Sequence, residues 1–315
     1  MSTYTPNEMM TIAAARALRN EDVCFVGIGQ PSAAANLARL THAPDITLIY
    51  ESGTLSTKPN VLPLSIGDPE LCETALTTVS VPEMFRYWLQ GGRITVGFLG
   101  GAQIDRFANL NTTVVGPYDK PKVRLPGGGG APEIATSCGE IFIIMAQSKR
   151  AFAPKLDFIT SLGHGEGGNT REKLGLKTKG PTKLITDMAI FAPDPETKEM
   201  TIVSIHPGVT REQIAENTGW PVRYAAKVDE TPAPTAPEPR RNPCPRRRPR
   251  SRRPISRSAA SGSSTSPASS PVRSRRCSSP TSAPTSARWS VPAPATTPAG
   301  GARRSPATTP PTSSP

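Results

Sequence analysis

The chain has 315 residues, 37 of them basic and 25 acidic, with a formal charge of +12. That charge is not spread evenly: residues 236–315 hold 15 Arg, 17 Pro, 18 Ser and a single acid, Glu238, so the first 235 residues are close to neutral. Those 235 residues suffice for one large α/β domain with a sizeable core; no secretory signal stands at Met1–Pro6, no apolar run reaches the roughly 18 residues of a membrane span, and the five cysteines are scattered without C-x-x-C spacing, which argues against a zinc site or a disulfide framework. The reading is a cytoplasmic protein with reduced thiols.

Thr5-Pro6-Asn7-Glu8 has the form of a capping box with proline at the first helical position. Met9, Met10, Ile12, Ala13, Ala17 and Leu18 then follow helical spacing. Val23 to Val26 reads as a buried strand that runs into Gly27-Ile28-Gly29-Gln30-Pro31. Ser32 would cap a helix from Ala33 to Leu40. A glycine turn of this kind lets a ligand approach backbone N–H groups, so Gly27 and Gly29 are candidate binding positions. A dinucleotide fingerprint would need a third glycine near Ala33, and a carboxylate after the next strand keeps that alternative open.

The next apolar run, Ile46 to Tyr50, stops abruptly at Glu51-Ser52-Gly53. Beta-branched and aromatic residues predict a strand, and Gly53 predicts a turn. Ligands of open α/β sheets bind beyond the carboxyl ends of the strands. Glu51 therefore stands where a nucleophile or base would, beside Ser52 and Gly53. A solvated glutamate in a turn is the plainer alternative.

Thr54 to Ser80 reads as a long irregular loop. Pro82 to Gln90 reads as a short helix stopped by Gly91-Gly92, with an aromatic cluster suited to core packing. Ile94 to Leu99 is another buried strand. Gln103 to Asn111 is either a surface hairpin or a second wall of the site, which makes Gln103 a candidate. Gly127, Gly128, Gly129 and Gly130 are costly to order. They are read as a tight loop whose N–H groups point at a developing anion. A helix-like segment and a strand from Ile141 to Ala146 follow. Leu156–Thr160 and Lys183–Phe191 read as strands around the loop Gly163-His164-Gly165-Glu166-Gly167-Gly168. Met200–His206 reads as a further strand, and Thr210-Arg211-Glu212-Gln213 as a second capping box ending near Asn217. His42, His164 and His206 lack metal-ligand spacing, and no metal is expected.

Tyr50-Glu51-Ser52-Gly53, Gly27-Ile28-Gly29-Gln30-Pro31 and Pro126-Gly127-Gly128-Gly129-Gly130-Ala131 together resemble three motifs of class I CoA-transferases, in the family's order. The resemblance runs from about Thr5 to Glu230. Asn7–Thr11, Phe85–Arg93 and His206–Glu212 bring it closest to B subunits acting on 3-oxoadipate. It implies an open, mostly parallel sheet with helices on both faces. It implies a B-subunit domain over residues 1–230, with a Pro/Arg/Ser-rich tail at 231–315. It also implies Glu51 as a nucleophile that carries CoA as a thioester, and Gly129 or Gly130 as oxyanion donors. CoA would pass from succinyl-CoA to 3-oxoadipate in aromatic-compound degradation, the beta-ketoadipate pathway. Coenzyme A enters as substrate, and no other cofactor is required. The family's second CoA-binding half is missing, so the resemblance implies an A-subunit partner in a heterotetramer of two A and two B chains. Transfer to another dicarboxylic or keto acid, and a hydrolase on the same fold, are the enzymatic alternatives.

Departures from the family pattern are Ser52 for Asn, Glu133 for Asp, and Ala108 where a glycine is expected. A positive φ at Ala108 would be strained. The tail reads as disordered or as a GC-rich frame read out of register. A basic arm for nucleic acid or an acidic partner is the weaker alternative, because aromatic interleaving is lacking.

Overall fold

The computed structural model describes residues 4–235. The readings made for 236–315, a disordered or frame-shifted tail or a nucleic-acid arm, lie outside the described residues.

Thr5 caps α1 (Pro6–Ala17), and its side chain and that of Glu8 satisfy each other's backbone N–H groups as the sequence predicts. Then come β1 (Val23–Val26), α2 (Gln30–Leu40) and β2 (Thr47–Tyr50). The chain turns back at once into β3 (Thr54–Leu55), followed by α3 (Pro69–Glu73) and β4 (Thr77–Thr78). The stretch expected as an irregular loop thus adds two short antiparallel strands to the sheet. A short helix, α4 (Val81–Glu83), continues into a π-helical turn, Met84–Leu89. Next are β5 (Val96–Leu99), a hairpin of β6 (Gln103–Ile104) and β7 (Leu110–Asn111), and a ribbon of β8 (Val114–Val115) and β9 (Val123–Arg124). The glycine loop leads into α5 (Ala131–Ser137) and β10 (Glu140–Ile144). The remaining elements are α6 (Thr170–Lys173), β11 (Pro181–Ile185), β12 (Ala189–Pro193), β13 (Met200–Ile205), α7 (Arg211–Glu216) and β14 (Arg223–Glu230).

Ten strands form one sheet in the order β14-β13-β12-β11-β10-β5-β1-β2-β3-β4. The centre, β11-β10-β5-β1-β2, is parallel throughout. Antiparallel strands flank it on both sides. Successive side chains of a strand point to opposite faces, and here both faces are apolar. Phe25, Ile49, Ile141 and Ile143 enter one core cluster, with the π-helical residues Met84 and Leu89 and with Ile134 of α5. Cys24, Val26, Leu48, Tyr50, Phe142 and Ile144 enter the other, beneath α1 and α2. This is why the central strands read as unbroken apolar runs, and it gives the expected helices on both faces. Gly97 in β5 has a packing role: a Cβ there would lie 2.7 Å from Cys138 Sγ and 2.9 Å from Ile134. Its absence lets α5 settle directly on the sheet.

Several boundaries differ from the sequence reading. Leu156–Thr160 forms no strand, and Lys183–Phe191 is two antiparallel strands with a turn at Thr186–Met188. Ser32 does not cap α2. The helix starts earlier, with Gly29 as N-cap, and Ser32 is buried inside its first turn. Packing also continues past the boundary expected at Glu230. Thr231 is buried, its hydroxyl is 2.9 Å from His206 Nδ1, and Arg16 donates to the carbonyls of Pro232 and Ala233. Ala108 does adopt the left-handed conformation, φ 59°. That conformation costs an L-residue about 1–2 kcal/mol. Asp105 holds the turn by accepting from the amides of Phe107 and Asn109.

The loop 163–168 is clamped to this turn. Asn109 Oδ1 accepts from Gly163 and Gly165, and Gly163 approaches the Ala108 carbonyl too closely for any side chain. His164 is buried and donates Nε2–H to the Pro181 carbonyl, 2.8 Å away. Burial, with Arg171 and Lys198 adding positive charge, pushes its pKa down to about 4. An unfolded chain takes up that proton below about pH 6.5. The neutral ring's contribution is therefore complete above that pH and is lost as pH falls toward 4. Melting temperature should drop steeply between pH 6.5 and 4, with His164 responsible for up to about 3 kcal/mol over that window and about 2 kcal/mol of it by pH 5. His206, also buried with its pKa lowered, acts in the same direction. In His164→Gln the fall should be visibly flatter; an equally steep fall would assign the acid sensitivity elsewhere.

Candidate active site

The carboxyl ends of β1, β2, β5 and β10 open into a cleft of about 550 Å³. Strand order reverses here, since β1 pairs with β2 on one side and with β5 on the other. This is the switch point at which open α/β sheets bind ligands. Gly27 and Ile28 line the cleft after β1, Glu51 after β2, Gly100 after β5, and Met145 and Ala146 after β10. Across from Glu51 stand Gly128, Gly129, Gly130 and Ile134, while Asn7 and Met10 approach from α1.

Glu51 is the only ionisable side chain among these lining residues. Met10, Phe98, Leu99, Ile134 and Met145, which line the cleft with it, are apolar. Among the described residues its half-buried carboxylate holds no hydrogen bond and no ion pair. With no partner among the described residues, both oxygens of this carboxylate are available to a substrate, which suits a nucleophile.

Two local features hold it in place. Gly53 turns the chain with φ 97°, its N–H bonded to the Tyr50 carbonyl at 2.9 Å. A side chain at Gly53 would collide with the Val79 carbonyl, 2.0 Å from its Cβ position. Tyr50, fully buried, shares a 2.6 Å hydrogen bond with Ser32. Burial raises the Tyr50 phenol to about 12, so it stays protonated and the bond persists. The residue before Glu51 is thereby tied to the first turn of α2.

The glycine loop meets Glu51 directly. A Cβ on Gly130 would lie 2.8 Å from Glu51 Oε1 and 2.7 Å from the end of the Phe85 ring. Gly127 has φ 101° and Gly129 φ 50°. Gly127 is a hinge rather than a donor, because its N–H goes to the Thr112 carbonyl at 2.8 Å. Among the described residues the amides of Gly129 and Gly130 have no hydrogen-bond partner. They are the donors available to an oxyanion formed beside Glu51.

The sequence candidates divide accordingly. Glu51, Gly27, Gly128, Gly129 and Gly130 come together on the cleft. Gly29, Gly53 and Gly127 shape its turns without lining it. The Ser52 hydroxyl is buried without a partner and does not line the cleft. Gln103 is elsewhere: its Oε1 accepts from Asn111 Nδ2 at 2.8 Å within the β6–β7 hairpin. That hairpin is neither a surface feature nor a wall of this cleft, since Ile104, Leu110 and Asn111 are buried. Sequence reasoning missed Asn7, Gln30 and Phe85. Gln30 stands directly after the G-x-G turn, and Asn7 and Phe85 lie in segments that carry the family resemblance, but none of these signals marked a side chain of the site. The chain reversal after β2 also removes the crossover helix that a dinucleotide unit needs there.

The family of coenzyme A transferases matches over residues 7–217. The chain belongs to that family. It is 66% identical over 235 residues to the B subunit of 3-oxoadipate CoA-transferase from Pseudomonas knackmussii, covering 75% of this chain and 90% of that protein. It is 37% identical to the B subunit of glutaconate CoA-transferase from Acidaminococcus fermentans, over 74% of this chain and 90% of that one. The crystal structure of the Acidaminococcus enzyme superposes with a TM-score of 0.69 at 34% identity, over 74% of this chain and 91% of the matched chain. This CoA-transferase chain is thus of the B-subunit type, with the same large mixed sheet. Among its described residues no helix is long and apolar enough to cross a membrane.

Proposed function

We propose that this CoA-transferase chain carries CoA from succinyl-CoA to 3-oxoadipate through a thioester on Glu51. The observation that carries the reading is the isolation of Glu51 in the cleft, opposite the unpaired amides of Gly129 and Gly130. The 66% identity to a protein named for 3-oxoadipate supports the acceptor.

The exchange divides into balanced steps. A Glu51 oxygen attacks the thioester carbonyl of succinyl-CoA. The tetrahedral oxyanion collapses to a mixed anhydride and expels CoA thiolate. The thiolate attacks the Glu51 carbonyl, leaving a glutamyl-CoA thioester and free succinate. A carboxylate oxygen of 3-oxoadipate then attacks that thioester and releases the thiolate again. The thiolate attacks the acyl carbon of the new anhydride, so 3-oxoadipyl-CoA leaves and Glu51 is restored. Covalent catalysis splits one hard exchange into easier ones. Each oxyanion donor is worth about 3–4 kcal/mol. No metal or nicotinamide takes part.

The partner is an A subunit, because both relatives are the B subunits of their enzymes, and the family resemblance implies an assembly of two A and two B chains. The chain co-expressed with an A subunit is expected to transfer CoA from succinyl-CoA to 3-oxoadipate, and neither chain alone should do so. A coupled assay for 3-oxoadipyl-CoA checks this. Full turnover by the isolated chain would refute the partnership, and turnover only with other acids would refute the acceptor.

A further inference from the structure

Two side chains at the cleft are left unused by these steps. Asn7, in the first turn of α1, and Gln30, at the first position of α2, are the only polar side chains among the described residues that line it besides Glu51. They touch each other: Gln30 Nε2 donates to Asn7 Oδ1 at 3.2 Å. That bond engages the Asn7 oxygen and leaves its amide nitrogen as the available end. Among the described residues Asn7 Nδ2 has no acceptor of its own. Asn7 is exposed and Gln30 half-buried, so the pair stands at the mouth. Gln30 follows β1, whose last residue Val26 pairs with Tyr50, the residue before Glu51. The pair therefore flanks the nucleophile on the neighbouring strand end.

We propose that Asn7 is the residue of this chain that recognises the neutral oxo group of the acyl acceptor, with Gln30 as its positioning residue. This rests on the reaction assigned above. The chemistry of the lining carries it. Among the described residues no Lys, Arg or His lines the cleft. The distal carboxylate that 3-oxoadipate shares with adipate therefore finds no cation among these lining residues, and what they can tell apart is the oxo group. A ketone oxygen carries no charge and needs a single N–H donor. Among the described residues both hydrogens of Asn7 Nδ2 are without an acceptor, whereas Gln30 Nε2 gives one of its two to Asn7, and that bond fixes which end of the Asn7 amide stays available. A fixed neutral donor favours an acid with a carbonyl near its reacting end over the same acid with a methylene there.

The test uses the assembled complex with its A subunit, succinyl-CoA as donor, and two acceptors of equal length, 3-oxoadipate and adipate. The readout is the ratio of their kcat/KM values. In Asn7→Leu the ratio should fall about tenfold, the worth of one good hydrogen bond. Asn7→Asp presents an acceptor to an acceptor and should lower it at least as far. Gln30→Leu, which only releases the Asn7 amide, should lower it less. A structural role would reduce both acids equally and leave the ratio unchanged, which overturns the proposal. If the unsubstituted complex transfers CoA to 3-oxoadipate while the ratio survives in Asn7→Leu, this inference alone falls. If the unsubstituted complex transfers no CoA to 3-oxoadipate, the reaction assignment falls and this inference with it.

Discussion

Glu51→Gln is expected to abolish CoA transfer while leaving folding and subunit assembly intact. The amide keeps the size of the side chain and much of its hydrogen-bonding capacity, but it is no longer an anionic nucleophile. Among the described residues no other ionisable group lines the cleft to replace it. The carboxylate makes no hydrogen bond or ion pair among the described residues, so little stability depends on it. The unfolding free energy should change by no more than about 0.5 kcal/mol. Glu51→Asp keeps the charge and withdraws it by about one bond length. A misplacement near 1 Å costs about a hundredfold in rate, so this variant should be slow but active. Circular dichroism, gel filtration with the A subunit and a transfer assay separate these outcomes.

Gly130→Ala is expected to reduce transfer at least about a hundredfold by the same geometric argument. The backbone at Gly130, φ −82° and ψ −5°, is open to alanine, so the substitution does not break the turn. The added methyl meets Phe85 and Glu51 instead. The ring can swing aside, and overpacking of this kind typically costs about 1–3 kcal/mol. The carboxylate cannot move without leaving its aim. Adding Phe85→Leu should therefore restore stability but not activity. Recovery of both would mean that the glycine serves packing rather than the nucleophile.

The site was legible where sequence and backbone constraint coincide. Ile46 to Tyr50 had to be a strand, and Gly53 had to turn, so Glu51 had to stand at a strand end. The glycines at 127–130 marked a tight loop, and its meeting with Glu51 followed from the motif resemblance alone. The sequence held no trace of the π-helical turn that carries Phe85 to Gly130, because the residues of such a turn read as an ordinary helix. Asn7 and Gln30 were hidden for a related reason. Their contact depends on how two helix starts pack, which neither helix's own periodicity contains. Gln103 misled because a polar residue after a glycine pair looks like a site wall, whereas Asn111 absorbs its side chain. Ser32 looked like a cap by position, but the Tyr50 hydroxyl drew it inside the fold. The strand β14 went unread because its residues are mostly exposed and lack alternation.

The most direct measurement is to trap the carrier. The assembled enzyme, incubated with succinyl-CoA and no acceptor, should retain CoA as a covalent adduct. Peptide mass spectrometry should place that adduct on Glu51, between Ile46 and Lys58, and Glu51→Gln should show none. Adduct on Glu133 or Glu166, with Glu51→Gln still active, would contradict the account at its centre.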